Sequence, residues 1–229
     1  KTKIDELETE VVAVEMAIDG LPKIGDLTLE DKNTVDTVRI SYNALTQEQK
    51  DRVGNYSKLV AAEDRIKDLE AEVEANTFKA AHIAVLTKTV VDVLIGNKDA
   101  VNTALDEFEA LSDLAKNKLT AEKTLLDNLK TKIDELETEV VAVEMAIKGL
   151  PAVDDLTLGD KNQVEAARGL YEALTEEQKS LVDNYDVLTG VEAKFLELLI
   201  TQAKEELASI AADKTGDLHL TGIADIEFD

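Results

Sequence analysis

Lys1 to Pro22 read KTKIDELETEVVAVEMAIDGLP, and Lys130 to Pro151 read KTKIDELETEVVAVEMAIKGLP. The two stretches differ only at Asp19 and Lys148. A self-match of this length marks an array of similar units. Within it Ile4, Leu7, Val11, Val14, Ile18 and Leu21 are spaced 3, 4, 3, 4, 3. That heptad spacing keeps one stripe of a helix against its partners. Gly20 and Pro22 then stop the helix: glycine can take the left-handed cap position, and proline cannot continue the ladder.

The same offset of 129, Lys1 to Lys130, holds well beyond the near-identical stretch. Asp26-Leu27-Thr28-Leu29 returns as Asp155-Leu156-Thr157-Leu158, and Asn55-Tyr56 returns as Asn184-Tyr185. A worn third copy lies between them, offset by about 66, with Val101, Phe108, Leu111 and Leu119 on Val35, Tyr42, Leu45 and Val53. The second helix keeps its spacing in all copies: Val35, Val38, Tyr42, Leu45; Val101, Ala104, Phe108, Leu111; Val164, Ala167, Tyr171, Leu174. Thr28 with Asp31, Thr46 with Gln49 and Thr175 with Gln178 have capping-box spacing. A long helix is expected from about Tyr56. Its stripe of Leu59, Ala62, Ile66, Leu69 and Val73 continues in phase through Asn76 and Ala80 to Ile83. At the next junction Leu126, Leu129, Ile133, Leu136, Val140, Val143, Ile147 and Leu150 keep one seam. The last helix of one unit is thus expected to become the first of the next.

The expected fold is all-α: an elongated, spectrin-like rod of tandem three-helix-bundle repeats with long helices shared between units. The units are residues 1–66, the degenerate 67–129, and 130–213. In residues 214–229 Leu218 and Leu220, then Ile226 and Phe228, alternate with polar residues. That period reads as strand, either the start of a following β domain or a strand docked on the last unit. The chain does not begin with Met and enters directly into a helical pattern, which implies a segment of a longer protein.

Composition narrows the function. There are 25 Lys and Arg against 49 Asp and Glu, a net charge of −24. Such a surface repels phosphate backbones and anionic headgroups, so neither nucleic acid nor membrane is an expected partner. The absence of cysteine removes disulfides, thiol catalysis and zinc–thiolate sites. With four Tyr, four Phe and no Trp, the cores must be aliphatic.

The stretch Leu27 to Glu63, LTLEDKNTVDTVRISYNALTQEQKDRVGNYSKLVAAE, and its counterpart Leu156 to Glu192 resemble helical repeats of large secreted proteins of Gram-positive bacteria. These include S-layer and S-layer-homology-bearing proteins and cell-wall-associated hydrolases. The resemblance covers both outer units and only weakly the middle one, which lacks the LP stop and the NY pair. It implies an extracellular place at the bacterial cell surface or wall. It also implies a spacer role beside other domains, with surface-layer subunits or wall polymer as further partners.

No catalytic, cofactor-binding or metal residue is assigned. His82 and His219 have no partner at ligand spacing and read as surface or boundary side chains. Glu6, Glu8, Glu10 and Glu15 fall mostly on the solvent side of their helix, without the facing pair in a cleft that a glycosidase needs. Tyr42, Tyr171 and Phe108 share one core position, and Tyr56 and Tyr185 brace a turn. Asn55-Tyr56-Ser57 matches a glycosylation sequon by letter, but its counterpart ends in Asp186. Asp26, Asp154 and Asp155 lie in loops without EF-hand spacing and read as solvated or capping groups, leaving loose calcium binding open. The expectation is a non-catalytic structural stalk; the alternative is an adhesin or cell-wall-binding module.

Overall fold

The structure is a computed structural model that describes residues 3–213. The strand-like tail, residues 214–229, lies outside the described residues. Those described form an all-α fold without strands. The helices are α1 (Lys3–Asp19), α2 (Lys32–Ala44), α3 (Gln47–Lys50), α4 (Tyr56–Ala81), α5 (Ile83–Leu86), α6 (Lys98–Ala110), α7 (Asp113–Lys118), α8 (Thr120–Lys148), α9 (Lys161–Glu172), α10 (Glu176–Lys179) and α11 (Tyr185–Asp213). No described helix is long and apolar enough to cross a membrane. The chain divides into two compact units, Lys1–Thr89 with Asp99–Asn128, and Val90–Lys98 with Leu129–Asp229.

In the first unit α1 buries Val11, Val14 and Ile18 against Val35 and Val38 of α2 and Leu59, Ala62 and Ile66 of α4. The heptad stripe thus faces inward. α1 ends as its sequence requires, though not by a left-handed glycine, since Gly20 does not adopt a positive φ. The Gly20 N–H still donates to the Met16 carbonyl at 2.9 Å, and the Leu21 N–H donates to the Ile18 carbonyl. Pro22, which has no N–H, ends the ladder.

α4 departs from its expected phase. Val73 and Ile83 are 52% and 58% exposed, and Asn76 and Ala80 are exposed as well. The buried residues beyond Ile66 are instead Ala71, Ala75, Phe78, His82 and Val85. At 3.6 residues per turn this second stripe lies roughly 150° round the helix from the first. The reason is that the two halves of α4 meet different partners. The first half closes the core with α1 and α2. The second half meets α6 and α7, with Phe78 edge-on to Phe108 at 6.0 Å and Asp68 bonded to Lys118 at 2.5 Å. The second stripe repeats the spacing of Leu7, Val11, Val14, Ile18 and Leu21 at a constant offset, 7 to 71. In sequence the back half of α4 is therefore the middle copy of α1.

In the second unit Val140, Val143 and Ile147 pack with Ala167, Leu174, Val182 and Leu188. Leu156, Val164, Val191, Phe195 and Leu199 form an adjoining cluster. In this unit the seam expected along α8 is buried from Leu129 through Ile147, and Leu150 is partly buried against the core. The Val90–Lys98 segment is tied to this unit. The Ile95 and Gly96 N–H groups donate to the Glu177 carboxylate at 3.1 and 3.0 Å, and Lys98 pairs with Glu137 at 2.7 Å.

The change of face in α4 predicts unequal responses to truncation. Phe78→Ala should lower stability by about 3–5 kcal/mol. Val73→Ala, on the face first expected to be buried, should change it by less than about 0.5 kcal/mol. Urea unfolding of the two variants followed by circular dichroism measures both.

Candidate functional site

Arg39 and Tyr42 lie one turn apart on α2, Tyr56 opens α4, and Glu63 follows two turns later. The packing of α2 on α4 brings all four together. The Tyr42 and Tyr56 rings stack at 4.4 Å between centroids, 21° from parallel. Arg39 covers both rings at 5.3 and 5.2 Å. Its Nε and Nη2 donate to the two Glu63 carboxylate oxygens, and its Nη1 donates to the Tyr56 hydroxyl at 3.3 Å. Hydrogen bonding to Glu63 raises the guanidinium pKa further above its ordinary value. Burial holds the Tyr42 phenol above its ordinary 10.0.

The second unit builds the same cluster. Tyr171 and Tyr185 stack at 4.3 Å and 17°, and Arg168 lies 5.5 Å from each centroid. Arg168 Nε donates to Glu192 at 2.6 Å and Nη1 to the Tyr185 hydroxyl at 3.5 Å. The middle copy has lost it. Leu105 stands in place of Arg39. Lys123, three residues before the buried Leu126 as Tyr56 is before Leu59, lies 5.8 Å from the Phe108 ring.

Two further side-chain bridges fasten each outer copy. Thr46 N–H and hydroxyl donate to Gln49 Oε1 at 2.9 and 3.0 Å. The Gln49 side chain is buried and donates to Glu10 at 2.5 Å. Gln178 does the same from Thr175, donating to Glu139 at 2.7 Å and to the Leu136 carbonyl at 3.0 Å. Asn55 Nδ2 donates to the Glu15 carbonyl, and Asn184 Nδ2 to the Glu144 carbonyl, both at 2.9 Å. The Asn55 amide nitrogen, which the sequon would modify, is thus engaged inside the fold. In the middle copy Ala115 replaces the glutamine. There Glu74, counterpart of Glu10 on the α4 back half, accepts from the Ser112 N–H at 2.9 Å and from its hydroxyl. These bonds hold the Glu74 pKa below its ordinary 4.5.

The remaining candidates are dispersed. His82 is a correction to the sequence reading: it is 8% exposed, occupying the stripe position held by Ile18 and Ile147, and its Nε2 lies 2.8 Å from Glu107 Oε2. His219 lies outside the described residues. Glu8 and Glu10 are exposed and Glu15 half-buried; the Glu6 side chain is outside the description. Glu10 and Glu15 are spent on Gln49 and on the Gly54 N–H. Tyr42 and Tyr171 are partly buried against their cores, and Phe108 is buried. Asp26, Asp154 and Asp155 are exposed on short turns. Among the described residues, no group of three His, Asp or Glu side chains gathers as a metal site. Spacing along a single helix does not reveal the arginine clusters. Their signal is present all the same: Arg, Tyr, Tyr and Glu recur at identical spacing in both outer copies. No protein-family model matches the chain, and no curated protein or solved structure matches it either.

What the clusters can do follows from their bonds. The guanidinium is spent on a carboxylate and a phenol, and the rings are spent on each other. The arrangement clamps the start of one helix to the middle of another.

Two outcomes follow. Arg168→Lys keeps the charge but loses the forked bonds and the ring cover. It should cost about 1–2 kcal/mol, whereas Arg52→Lys, in an exposed pair with Glu48, should cost less than about 0.5 kcal/mol; urea titration measures both. Glu74, with its pKa depressed on folding, contributes stability that is complete above 4.5 and lost as pH falls through its folded value. Glu74→Gln should therefore flatten the loss of thermal stability below that pH, read as melting temperature against pH beside the parent chain.

Proposed function

We propose that the chain is a non-catalytic structural spacer of tandem helical-bundle repeats sharing long helices, belonging to a bacterial cell-surface protein. The observation that carries this reading is the repeated inward use of functional side chains. At an offset of 129 (Arg39 to Arg168), the arginine clamp, the buried glutamine and the asparagine bridge recur with the same partners. Each ties one helix of a repeat to another of the same repeat. Chemistry invested twice in the same internal fastenings suits a part whose output is stiffness.

The change of face along α4 supports the sharing of helices. One uninterrupted helix serves first as the closing helix of one core and then as the opening helix of the next. In repeat arrays of this kind each unit mainly contacts its neighbours. The net charge of −24 suits an array that must stay separate from its own copies. The repeat pattern Leu27 to Glu63 supports placement at a Gram-positive surface, through its resemblance to S-layer and wall-associated proteins.

Small-angle X-ray scattering tests the proposal. A rod on the order of 100–150 Å, from helices rising about 1.5 Å per residue, should give a radius of gyration of roughly 30–40 Å. A compact body of this length would give roughly 17–18 Å, and that value would overturn the stalk.

A further inference from the structure

A groove on the first unit joins an apolar floor to an acidic rim. It runs between the back half of α4 and α6 with a volume of about 340 Å³, at the small end of ligand-sized sites, roughly 300–1,000 Å³. Glu74, Phe78 and Ala81 line it from α4, spaced 4 and 3 and so on one face of the helix. Glu107 and Ala110 line it from α6, with Leu111 just beyond. The floor is held in place by its own packing. Phe78 is buried, edge-on to Phe108 at 6.0 Å and flanked by the His82 ring at 4.7 Å.

The rim is charged, and no fixed cation answers it. Glu74 accepts from the Ser112 N–H and hydroxyl. These bonds hold its pKa below the ordinary 4.5, so it is ionised at neutral pH. Glu107, more than half exposed, gives Oε2 to the His82 ring nitrogen at 2.8 Å, which leaves Oε1 for another donor. Among the described residues neither acid pairs with a lysine or arginine. Lys116, whose charge also reaches Glu74, is paired with Glu109 at 3.5 Å, and Lys79 with Glu122 at 2.8 Å. The outer copies do not repeat the arrangement: Val14 and Val143 stand in place of Phe78, and Ser41 and Leu170 in place of Glu107. The general acidity of the chain therefore does not account for it.

We propose that this groove binds a small organic ammonium: a protonated primary amine on a short apolar body. The nitrogen donates to the Glu74 and Glu107 carboxylates, and the body lies on Phe78, Ala81, Ala110 and Leu111. Charge complementarity selects this class. Two carboxylates repel an anion, and a neutral apolar molecule leaves their charge without a partner. An ammonium supplies charge-assisted hydrogen bonds, the stronger kind, while its body removes apolar surface from water. The small volume favours a body of one ring or a short chain over a larger ligand.

Titration of the full chain with phenethylamine at neutral pH, followed by ¹⁵N NMR, tests this. Shifts should gather on amides of residues 74–82 and 107–111 and saturate with a Kd on the order of 1 mM. Phenylethanol, of the same shape without the charge, and 3-phenylpropionate, of opposite charge, should bind more weakly by about fivefold or more. Glu107→Gln should weaken phenethylamine by about fivefold. Ala110→Leu, which fills the groove from an exposed position, should weaken it by about tenfold or more. Glu8→Gln, at an exposed acid outside the groove, should leave binding unchanged, and melting curves check that each variant is folded. Shifts that never saturate would overturn the proposal, as would equal binding of phenylethanol or equal shifts around Val14 and Val143. Tighter binding of acetyl-phenylalanyl-lysine amide than of phenethylamine would also overturn it, and would assign the groove to a partner chain.

Discussion

The buried stripe of α4 changes sides part-way along the helix, and the packing of the first unit follows from that change. A helix packed in one bundle needs one seam, and a strict heptad provides it. α4 packs twice, so the seam that ends at Ile66 restarts at Ala71 on nearly the opposite side. The restart lets α6 and α7 lie where a continued seam would have left only Val73 and Ile83, which are exposed. The small side chains Ala71 and Ala75 at the restart admit close approach. Phe78 then stands where Val14 stands in the first copy, and its larger ring meets Phe108 edge-on.

Around these seams the polar residues form fixed bridges, and the middle copy shows which parts are exchangeable. A buried glutamine joins Thr46 to Glu10 and Thr175 to Glu139. Where Ala115 replaces it, Glu74 reaches Ser112 directly. The same two elements are joined with one link fewer. The arginine clamp is exchanged more drastically, for Leu105 and a lysine over Phe108. A forked guanidinium–carboxylate pair and an aliphatic contact can each hold two helices. The pair adds geometry, since its bonds form only at one separation and orientation of α2 on α4.

Much of this is legible in the sequence because it is periodic or local. The stripes of α1 and α8 follow from spacing, and the break at Thr46 follows from its capping box with Gln49, three residues on. Thr28 N–H donates to Asp31 as the spacing requires, at 2.9 Å. The phase of the α4 back half is not legible by continuing the count from Leu59, because a heptad carries no mark where its partner changes. It is found only by laying Ala71, Ala75 and Phe78 on Leu7, Val11 and Val14 across the repeat. His82 is placed for the same reason: as a lone polar letter it reads as a surface or boundary side chain, and only the repeat puts it at the buried position of Ile18. The arginine clamps join residues from two helices, and spacing along one helix cannot reveal a contact between two.

The buried histidine shows how far a repeat can drift while its architecture holds. At a position where Ile18 and Ile147 are fully buried, an imidazole must keep its ring in the core and find a partner for its nitrogen. The α4 stripe gives the ring Phe78, 4.7 Å away. The nitrogen emerges at the edge of the packed face, where Glu107 on α6 meets it at 2.8 Å. Glu107 has no equivalent in the outer copies, which carry Ser41 and Leu170 there. The substitution into the core and the acid that answers it thus occur together, in the one copy that has also exchanged its glutamine and its arginine. Drift in this copy has replaced polar fastenings in matched sets while leaving every seam position filled, which is what a fold held first by its seams and only second by its bridges permits.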